Sequence, residues 1–268
     1  MRGLSPGRFL RGIRAILGKR FEPPASVREN ALLRVLYARR SVRRFLKEPL
    51  PPDVLTAILD AGRLAPSTVN LQSWSFGVFD PLAWREAFGR GIPFGGAAAV
   101  LVCGDIHRAR RSIPSPRKPL VDYTLCVVNA GIAAYAMNVA AEALGVGSVM
   151  LSDDGRAGFY HAEYLRDRLG LPDGVYPVLT VVLGYPAAKA AGSPPKLPLD
   201  VVTFHGRYRE PDPAAMEEWL EGMMAGYRAL HVVRSFRGQL RHYVKRVDEA
   251  ERALDRMIYG PITGPARR

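Results

Sequence analysis

A short cluster of arginine and serine side chains has the chemistry to bind a phosphate group. It follows a helix-like segment at residues 30–37 and consists of Arg39, Arg40, Ser41 and Arg43. Guanidinium groups form charge-assisted, often bidentate hydrogen bonds to phosphate oxygens, and a hydroxyl can add one more. Arg44 is expected to point elsewhere. Taken alone, such a cluster is more often a solvated surface or a patch that faces nucleic acid.

A second polar element lies about thirty residues further on, after an amphipathic helical stretch. Pro66, Ser67 and Thr68 form a small hydroxylated turn, and Asn70 and Gln72 follow with amides that both donate and accept hydrogen bonds. These groups suit the polar edge and hydroxylated side chain of a flavin. The next residues, Trp-Ser-Phe-Gly-Val-Phe, alternate in the manner of a strand with one buried face.

Two further segments indicate the fold. Nineteen uncharged residues separate Asp122 from Glu142, a length that would also suit a membrane helix. Asn129 and Asn138 interrupt this run and its alanines give a smooth surface, so we expect a buried core helix. Residues 171–174 then read as a turn, and residues 176–186 as a buried β-branched strand with a glycine-proline stop.

In this order and spacing, the four segments resemble the nitroreductase family over residues 28–204. The resemblance implies an α+β fold with a central mixed sheet flanked by helices, assembled as a dimer, to which this chain adds N- and C-terminal helical extensions. The corresponding division is a basic extension at 1–27, an FMN-binding domain at 28–204 and a helical arm at 205–268. It also places the helix at residues 123–141 in the dimer interface.

The resemblance implies FMN as cofactor and NADH or NADPH as electron donor, with a small organic acceptor such as a nitroaromatic or quinone reduced in a ping-pong mechanism. FMN performs the redox chemistry, so no catalytic side chain and no metal are expected. The loop at 66–70 would reach the flavin of the other subunit. The implied FMN-binding residues are Arg39, Arg40, Ser41, Arg43, Pro66, Ser67, Thr68, Asn70, Gln72, Ser152, Asp153 and Lys196.

Some positions depart from the family's pattern. Ser73 stands where proline is usual, Ser152 and Asp153 replace an acidic residue and a glycine, and Pro194 leaves Lys196 as one basic residue where some members have two.

A glycine pair at 95–96 precedes a strand instead of following one, so a Rossmann site is not expected and the nicotinamide would bind over the flavin. A set of basic residues could form a rim for an anionic acceptor, although a charged surface loop is the commoner meaning. Its members are His107, Arg108, Arg110, Arg111, Arg117 and Lys118.

Both ends of the chain carry the excess positive charge. The net charge is +13, of which residues 1–45 contribute +10 and residues 228–268 contribute +6. Residues 5–20 form a basic amphipathic segment that either packs on the protein or lies on an anionic membrane, with packing favoured. The stripe from Trp219 to Met224 should pack near the flavin cleft or on the partner subunit. The basic helix at 234–257 shows no recognised nucleic-acid motif, so specific nucleic-acid binding is not expected.

The cysteine content favours a reducing cytoplasm, since Cys103 and Cys126 form neither a disulfide framework nor a zinc spacing. An alternative function is a protein of the same fold that has lost catalysis and binds a membrane or nucleic acid through its basic ends.

Overall fold

The computed structural model describes Gly7, Leu10 and residues 21–113, 116–152, 157–188, 193–230 and 236–260. The chain forms two compact units. One consists of Asn30–Lys189 with Arg246–Arg268, and the other of Met1–Glu29 with Ala190–Lys245. The basic segment predicted at 5–20 lies almost wholly outside the described residues, as does Asp153.

Four strands form one sheet in the first unit. They are β1 Trp74–Phe79, β2 Ala98–Asp105, β3 Gly147–Leu151 and β4 Val175–Gly184. Their order is β1-β2-β4-β3, and every neighbouring pair is antiparallel. Parallel pairing enters through an isolated bridge between Ser41 and Ser148.

Nine α-helices occur among the described residues. They are α1 Ala31–Ala38, α2 Pro52–Arg63, α3 Pro81–Phe88, α4 His107–Ser112, α5 Pro119–Ala143, α6 Ala162–Leu169, α7 Leu199–Val202, α8 Pro213–Leu230 and α9 Phe236–Tyr259.

Helix ends follow local sequence rules. The Asn30 side chain accepts a hydrogen bond from the Leu33 N–H (3.0 Å), and the Asp80 side chain accepts one from Ala83 (2.7 Å), so each satisfies a free amide of a first turn. Helix α3 ends at Gly89, whose φ of 67° requires a residue that tolerates the left-handed region.

The sheet is covered on both faces, which explains why all of β2 is buried. Its residues 99, 101 and 103 pack with Trp84 and Phe88 of α3 and Leu165 of α6. Its residues 98, 100 and 102 pack with Ile58 of α2 and with α5. Glycine permits the closest approaches: a Cβ at Gly104 would lie 2.6 Å from the Cβ of Cys126 on α5.

Helix α5 is the one described helix long and apolar enough to cross a membrane by length and composition. It instead supplies the core of the first unit, with eight residues buried, including Asn129, Ala133 and Met137. Both the prediction of a core helix at this position and the predicted α+β class are confirmed. The predicted helical segment at 30–37 and the strands predicted at 74–79 and 176–186 also occur, with no end shifted by more than two residues.

The second unit contains α7, α8 and the beginning of α9. In α8 the Trp219 indole N–H donates to the carbonyl of Pro195 (3.2 Å), and Gly222 lies beside the same proline ring. The predicted apolar stripe from Trp219 to Met224 is therefore partly covered by residues of its own unit.

Candidate functional site

The arginine cluster lies on an extended segment attached to the edge of the sheet. The Val42 N–H donates to the carbonyl of Ser148 (2.9 Å), and the Leu46 N–H donates to that of Tyr185 (2.8 Å). Val42 and Phe45 are buried, which fixes the segment and leaves Ser41 and Arg43 exposed. Gly147 makes this approach possible, since a Cβ there would lie 2.8 Å from Val42.

The cluster's arginines divide into two roles. Arg40 donates from one guanidinium nitrogen to the carbonyls of Tyr37 (2.7 Å) and Arg39 (2.8 Å), so it satisfies the free carbonyls at the end of α1. The Arg43 side chain makes no ion pair within the described part of the chain. Arg43 is thus the cation most available to an anion, while Arg40 is engaged with the backbone.

Glu142, at the end of α5, lies next to this cluster. Partial burial raises the pKa of its carboxyl, and this outweighs the opposing effects of a hydrogen bond from the Arg40 backbone and of the charges on Arg39 and Arg40. Arg39 therefore has a nearby carboxyl, unlike Arg43.

The polar loop at residues 66–73 is strained. Val69, Asn70 and Gln72 have φ angles of 43°, 57° and 47°, in the left-handed region. Asparagine tolerates this conformation, but for the β-branched Val69 it is a clear outlier. Strain of this kind persists only where the surroundings enforce it, and it concentrates at ligand sites.

Hydrogen bonds within the loop and to α5 stabilise its strained conformation. The Ser67 hydroxyl accepts from the Gln72 N–H (2.9 Å). The Asn129 amide donates to the buried Ser73 hydroxyl (2.7 Å) and accepts from the Thr68 N–H (3.4 Å). The serine that stands in place of the family's proline is therefore the anchor of the loop.

A second asparagine of α5 supports the arginine segment in a similar way. The Asn138 amide donates to the Ser148 hydroxyl (2.5 Å), and the carbonyl of Ser148 holds Val42. Asn129 and Asn138 are nine residues apart, which places them roughly 13.5 Å apart along the axis and on opposite sides of the helix. One helix thus positions both polar elements at separate places.

A groove of about 850 Å³ opens beside the loop. Asn70, Gln72, Trp74 and Phe76 line it together with residues of α2 and α4. Its two arginines are both paired with carboxylates of their own chain. These ion pairs are Arg63 with Asp60 (2.7 Å) and Arg108 with Asp105 (3.1 Å).

Several members of the suggested basic rim are also engaged within the chain. His107 hydrogen-bonds the carbonyl of Asp173 through Nδ1 (3.1 Å), Arg110 pairs with Asp122, and Arg117 donates to the carbonyls of Ile258 and Gly260. These contacts hold α4, α5 and the end of α9 together and leave fewer charges for an anionic ligand.

The remaining predicted residues are spread over the chain. Pro66, Thr68, Asn70 and Gln72 are exposed, and Ser67 is half-buried. Ser152 is half-buried directly after β3, and a Cβ at Gly158 would lie 2.6 Å from its Cα, so the chain returns closely against it. Lys196 is exposed and belongs to the second unit.

Sequence reasoning did not identify the residues that position the site. In the sequence, Asn129 and Asn138 show only as interruptions of an apolar run, and no pattern connects them with Ser73 and Ser148. An amide in the middle of a buried helix implies a hydrogen-bond partner, because burial without one costs ~1–3 kcal/mol. That rule predicts a partner but not which residue it is.

Comparison with known proteins identifies the family that this chain resembles in sequence and fold. The model of the nitroreductase family matches residues 36–92 and 85–185. The FMN reductase [NAD(P)H] of Bacillus subtilis is 28% identical over 195 residues, 68% of this chain and 76% of that protein. Among solved structures, B. megaterium NfrA2 has a TM-score of 0.71 at 22% identity and covers 85% of this chain and 98% of its own.

The NADPH:FMN oxidoreductase of Vibrio harveyi, solved with NAD+, has a TM-score of 0.67 at 21% identity and covers 84% of this chain and 98% of its own. Because the family model spans more than half of the chain, this protein belongs to the nitroreductase family.

Proposed function

We propose that this protein is an FMN-dependent oxidoreductase that transfers electrons from NADH or NADPH to a small organic acceptor, working as a homodimer. The B. subtilis relative is named an FMN reductase that uses NAD(P)H, and relatives in Staphylococcus aureus are named NADPH-dependent oxidoreductases. The observation that carries the proposal is the pair of polar elements, one cationic and one rich in amides, that α5 anchors through Asn138 and Asn129.

The residues present fit FMN. Arg43 is exposed and unpaired among the described residues, and Ser41 beside it is exposed, as a phosphate site requires. The strained loop presents Asn70 and Gln72, whose amides can bond the polar edge of a flavin ring. Arg39, Ser41 and Arg43 would hold the phosphate, while Pro66, Ser67, Thr68, Asn70 and Gln72 would contact the rest of the cofactor. Ser152, Asp153 and Lys196 are further proposed contacts. Arg40 would stabilise the backbone of Arg39 by its hydrogen bond to the Arg39 carbonyl.

The chain's own residues bind and orient, and no side chain is required as an acid, base or nucleophile. When bound, FMN supplies the ring nitrogen that accepts a hydride and later donates the electrons. The protein fixes the position of donor and acceptor, and the backbone beside Ser152 would face the reacting edge. Because no dinucleotide fingerprint provides a separate site, donor and acceptor would use one place in turn, giving ping-pong kinetics.

A homodimer is proposed for two reasons. A row of apolar side chains on α5 is exposed, including Val121, Val128, Ile132 and Tyr135, at 58%, 52%, 39% and 46%. An apolar patch of this kind on a soluble protein marks an interaction surface. In addition, the arginine segment and the polar loop lie on opposite sides of α5. This arrangement suits a dimer with two sites, each of which combines the arginine segment of one subunit with the polar loop of the other.

The groove indicates the class of acceptor. Its arginines are paired with Asp60 and Asp105, and Phe76 contributes a half-buried aromatic ring that lies parallel to the ring of the buried Trp74, with centroids 6.5 Å apart. These features favour a planar, largely neutral acceptor such as a quinone or a nitroaromatic.

A cytoplasmic location is proposed as well, since both cysteines are buried free thiols.

Steady-state kinetics with NADH or NADPH test this function. We expect parallel lines in double-reciprocal plots when a neutral quinone or nitroaromatic acceptor is varied. A protein that fails to oxidise either nucleotide with a broad panel of acceptors would contradict the proposal and would favour the alternative of a binding protein without catalysis.

A further inference from the structure

The first half of α9 presents an exposed apolar row that the proposed oxidoreductase function does not use. Leu240, Val244 and Val247 are spaced by four and three residues, so they share one side of the helix. Their exposed fractions are 43%, 63% and 37%. Nearly all other side chains from Arg237 to Glu249 are exposed too.

Towards the C-terminal end of α9, residues on the same side of the helix are buried in the core. Leu254 and Ile258 continue the row at helical spacing, and Met257 and Ile258 are buried with Ile106, Cys126 and Tyr176. Helix α9 is fixed there by Arg256, which makes two hydrogen bonds to Glu163 (2.7 and 2.6 Å). Within this row, residues 240, 244 and 247 are therefore exposed, whereas residues 254 and 258 are covered.

A basic row flanks the exposed half. Arg237, Arg241 and Lys245 recur every four residues, directly beside the apolar row, and all three are exposed. Acidic residues begin only at Asp248, close to the half that packs in the core. The exposed half thus combines aliphatic side chains with a uniformly positive edge.

We propose that the exposed half of α9, residues 237–247, docks on an anionic lipid surface. The aliphatic row enters the boundary between headgroups and acyl chains, and the basic row meets the lipid phosphates. Long arginine and lysine side chains suit this edge because their stems lie along apolar surface while their charged ends reach the headgroups. The net charge of +13 adds long-range attraction to such a surface.

Two other occupants fit less well. Nucleic acid would use the basic row but offers little to three exposed aliphatic side chains. A second copy paired antiparallel on this row would place the basic row of one copy alongside the basic row of the other, where like charges repel.

Vesicle co-sedimentation of the full-length protein tests the proposal. We expect binding to vesicles that contain phosphatidylglycerol to exceed binding to pure phosphatidylcholine by at least tenfold, and to fall as salt rises. The variant Leu240→Asp with Val244→Asp should lose at least tenfold of this binding and keep its NAD(P)H oxidation in solution. The matched control is Leu82→Asp with Val202→Asp, two residues that are also exposed (66% and 58%), and it should bind like the wild type.

Three results would overturn the proposal. If the Leu240/Val244 variant binds the vesicles as well as the wild type does, another segment is responsible. If the same variant has a smaller mass in sedimentation, the row is an interface between copies. If the wild type binds duplex DNA more tightly than the anionic vesicles, the basic row serves nucleic acid instead.

Discussion

At the scale of single residues, the cluster at 39–43 shows why residue type and residue role differ. Four candidate phosphate ligands were recognised from their types, yet the structure folds the Arg40 guanidinium back onto the carbonyls of Tyr37 and Arg39. A helix end needs hydrogen-bond donors for its last carbonyls, and Arg40 is the nearest one. No pattern in the sequence states which of two adjacent arginines takes that place.

Replacing Arg43 by alanine should weaken FMN binding by ~1.5–3 kcal/mol, about tenfold or more, because a charged hydrogen bond to phosphate is lost. Arg44→Ala is the matched control, since Arg44 is equally exposed and adjacent but is expected to point elsewhere. Fluorescence titration of the apoprotein with FMN gives both affinities. Equal effects of the two substitutions would remove Arg43 from the site.

Asn129→Ala should destabilise the protein by ~1–3 kcal/mol, because its buried hydrogen bond to Ser73 is lost and one polar partner remains. Urea unfolding of Asn129→Ala, Ser73→Ala and the double variant should show a coupling of at least ~0.5 kcal/mol. The cross pair Asn129→Ala with Ser148→Ala should be additive, because Ser148 bonds Asn138. Additivity in both pairs would contradict the anchoring role of Asn129.

At the scale of elements, the sequence predicted the strands and the central helix well because their patterns have a direct physical cause. An uncharged run with many alanines packs against a sheet, and a β-branched run fills a strand buried on both faces. The strained loop is different. Val69 and Gln72 have no intrinsic preference for their positive φ angles, and the contact of this loop with Asn129 is tertiary, so neither follows from the local sequence.

The attachment of α9 to α6 gives a prediction about pH. The hydrogen bonds and charge of Arg256 lower the pKa of the Glu163 carboxyl below its ordinary value of 4.5. The unfolded chain therefore takes up the proton first as the pH falls. The contribution of this pair to stability is complete above pH 4.5 and is lost as the pH falls through the lowered folded-state pKa.

Glu163→Gln should consequently reduce the free energy of unfolding near neutral pH, by no more than ~1 kcal/mol because the pair is partly exposed. The difference from the wild type should vanish in acid. Urea titrations across this range measure it, with the exposed Glu217→Gln as control. A difference that stays constant with pH would show that the ion pair is not its source.

At the scale of the whole molecule, the sequence predicted the family but not how complete sites are built. Within one chain the arginine segment and the polar loop lie on opposite sides of α5. The proposed FMN site therefore needs one of these elements from a second copy. The charge pattern did not predict which basic residues are available to a ligand. Arg110 and Arg117 belong to the suggested basic rim, but both are engaged within their own chain.

Val128→Asp with Ile132→Asp should convert the proposed homodimer to a monomer, because two charges would enter the apolar face of α5. Analytical ultracentrifugation gives the mass, and flavin absorbance gives the FMN content, which should fall together with it. Leu82→Asp with Val202→Asp should leave both unchanged. A monomer that keeps its FMN would contradict the shared site.

The most direct test of the central claim is the identity of the flavin in the purified protein, followed by its reduction. We predict a yellow protein that releases FMN, and not FAD, on denaturation, and whose flavin absorbance is bleached by NADH or NADPH under anaerobic conditions and restored by a quinone. A colourless protein that binds no added FMN, or a bound flavin that neither nucleotide reduces, would contradict the account.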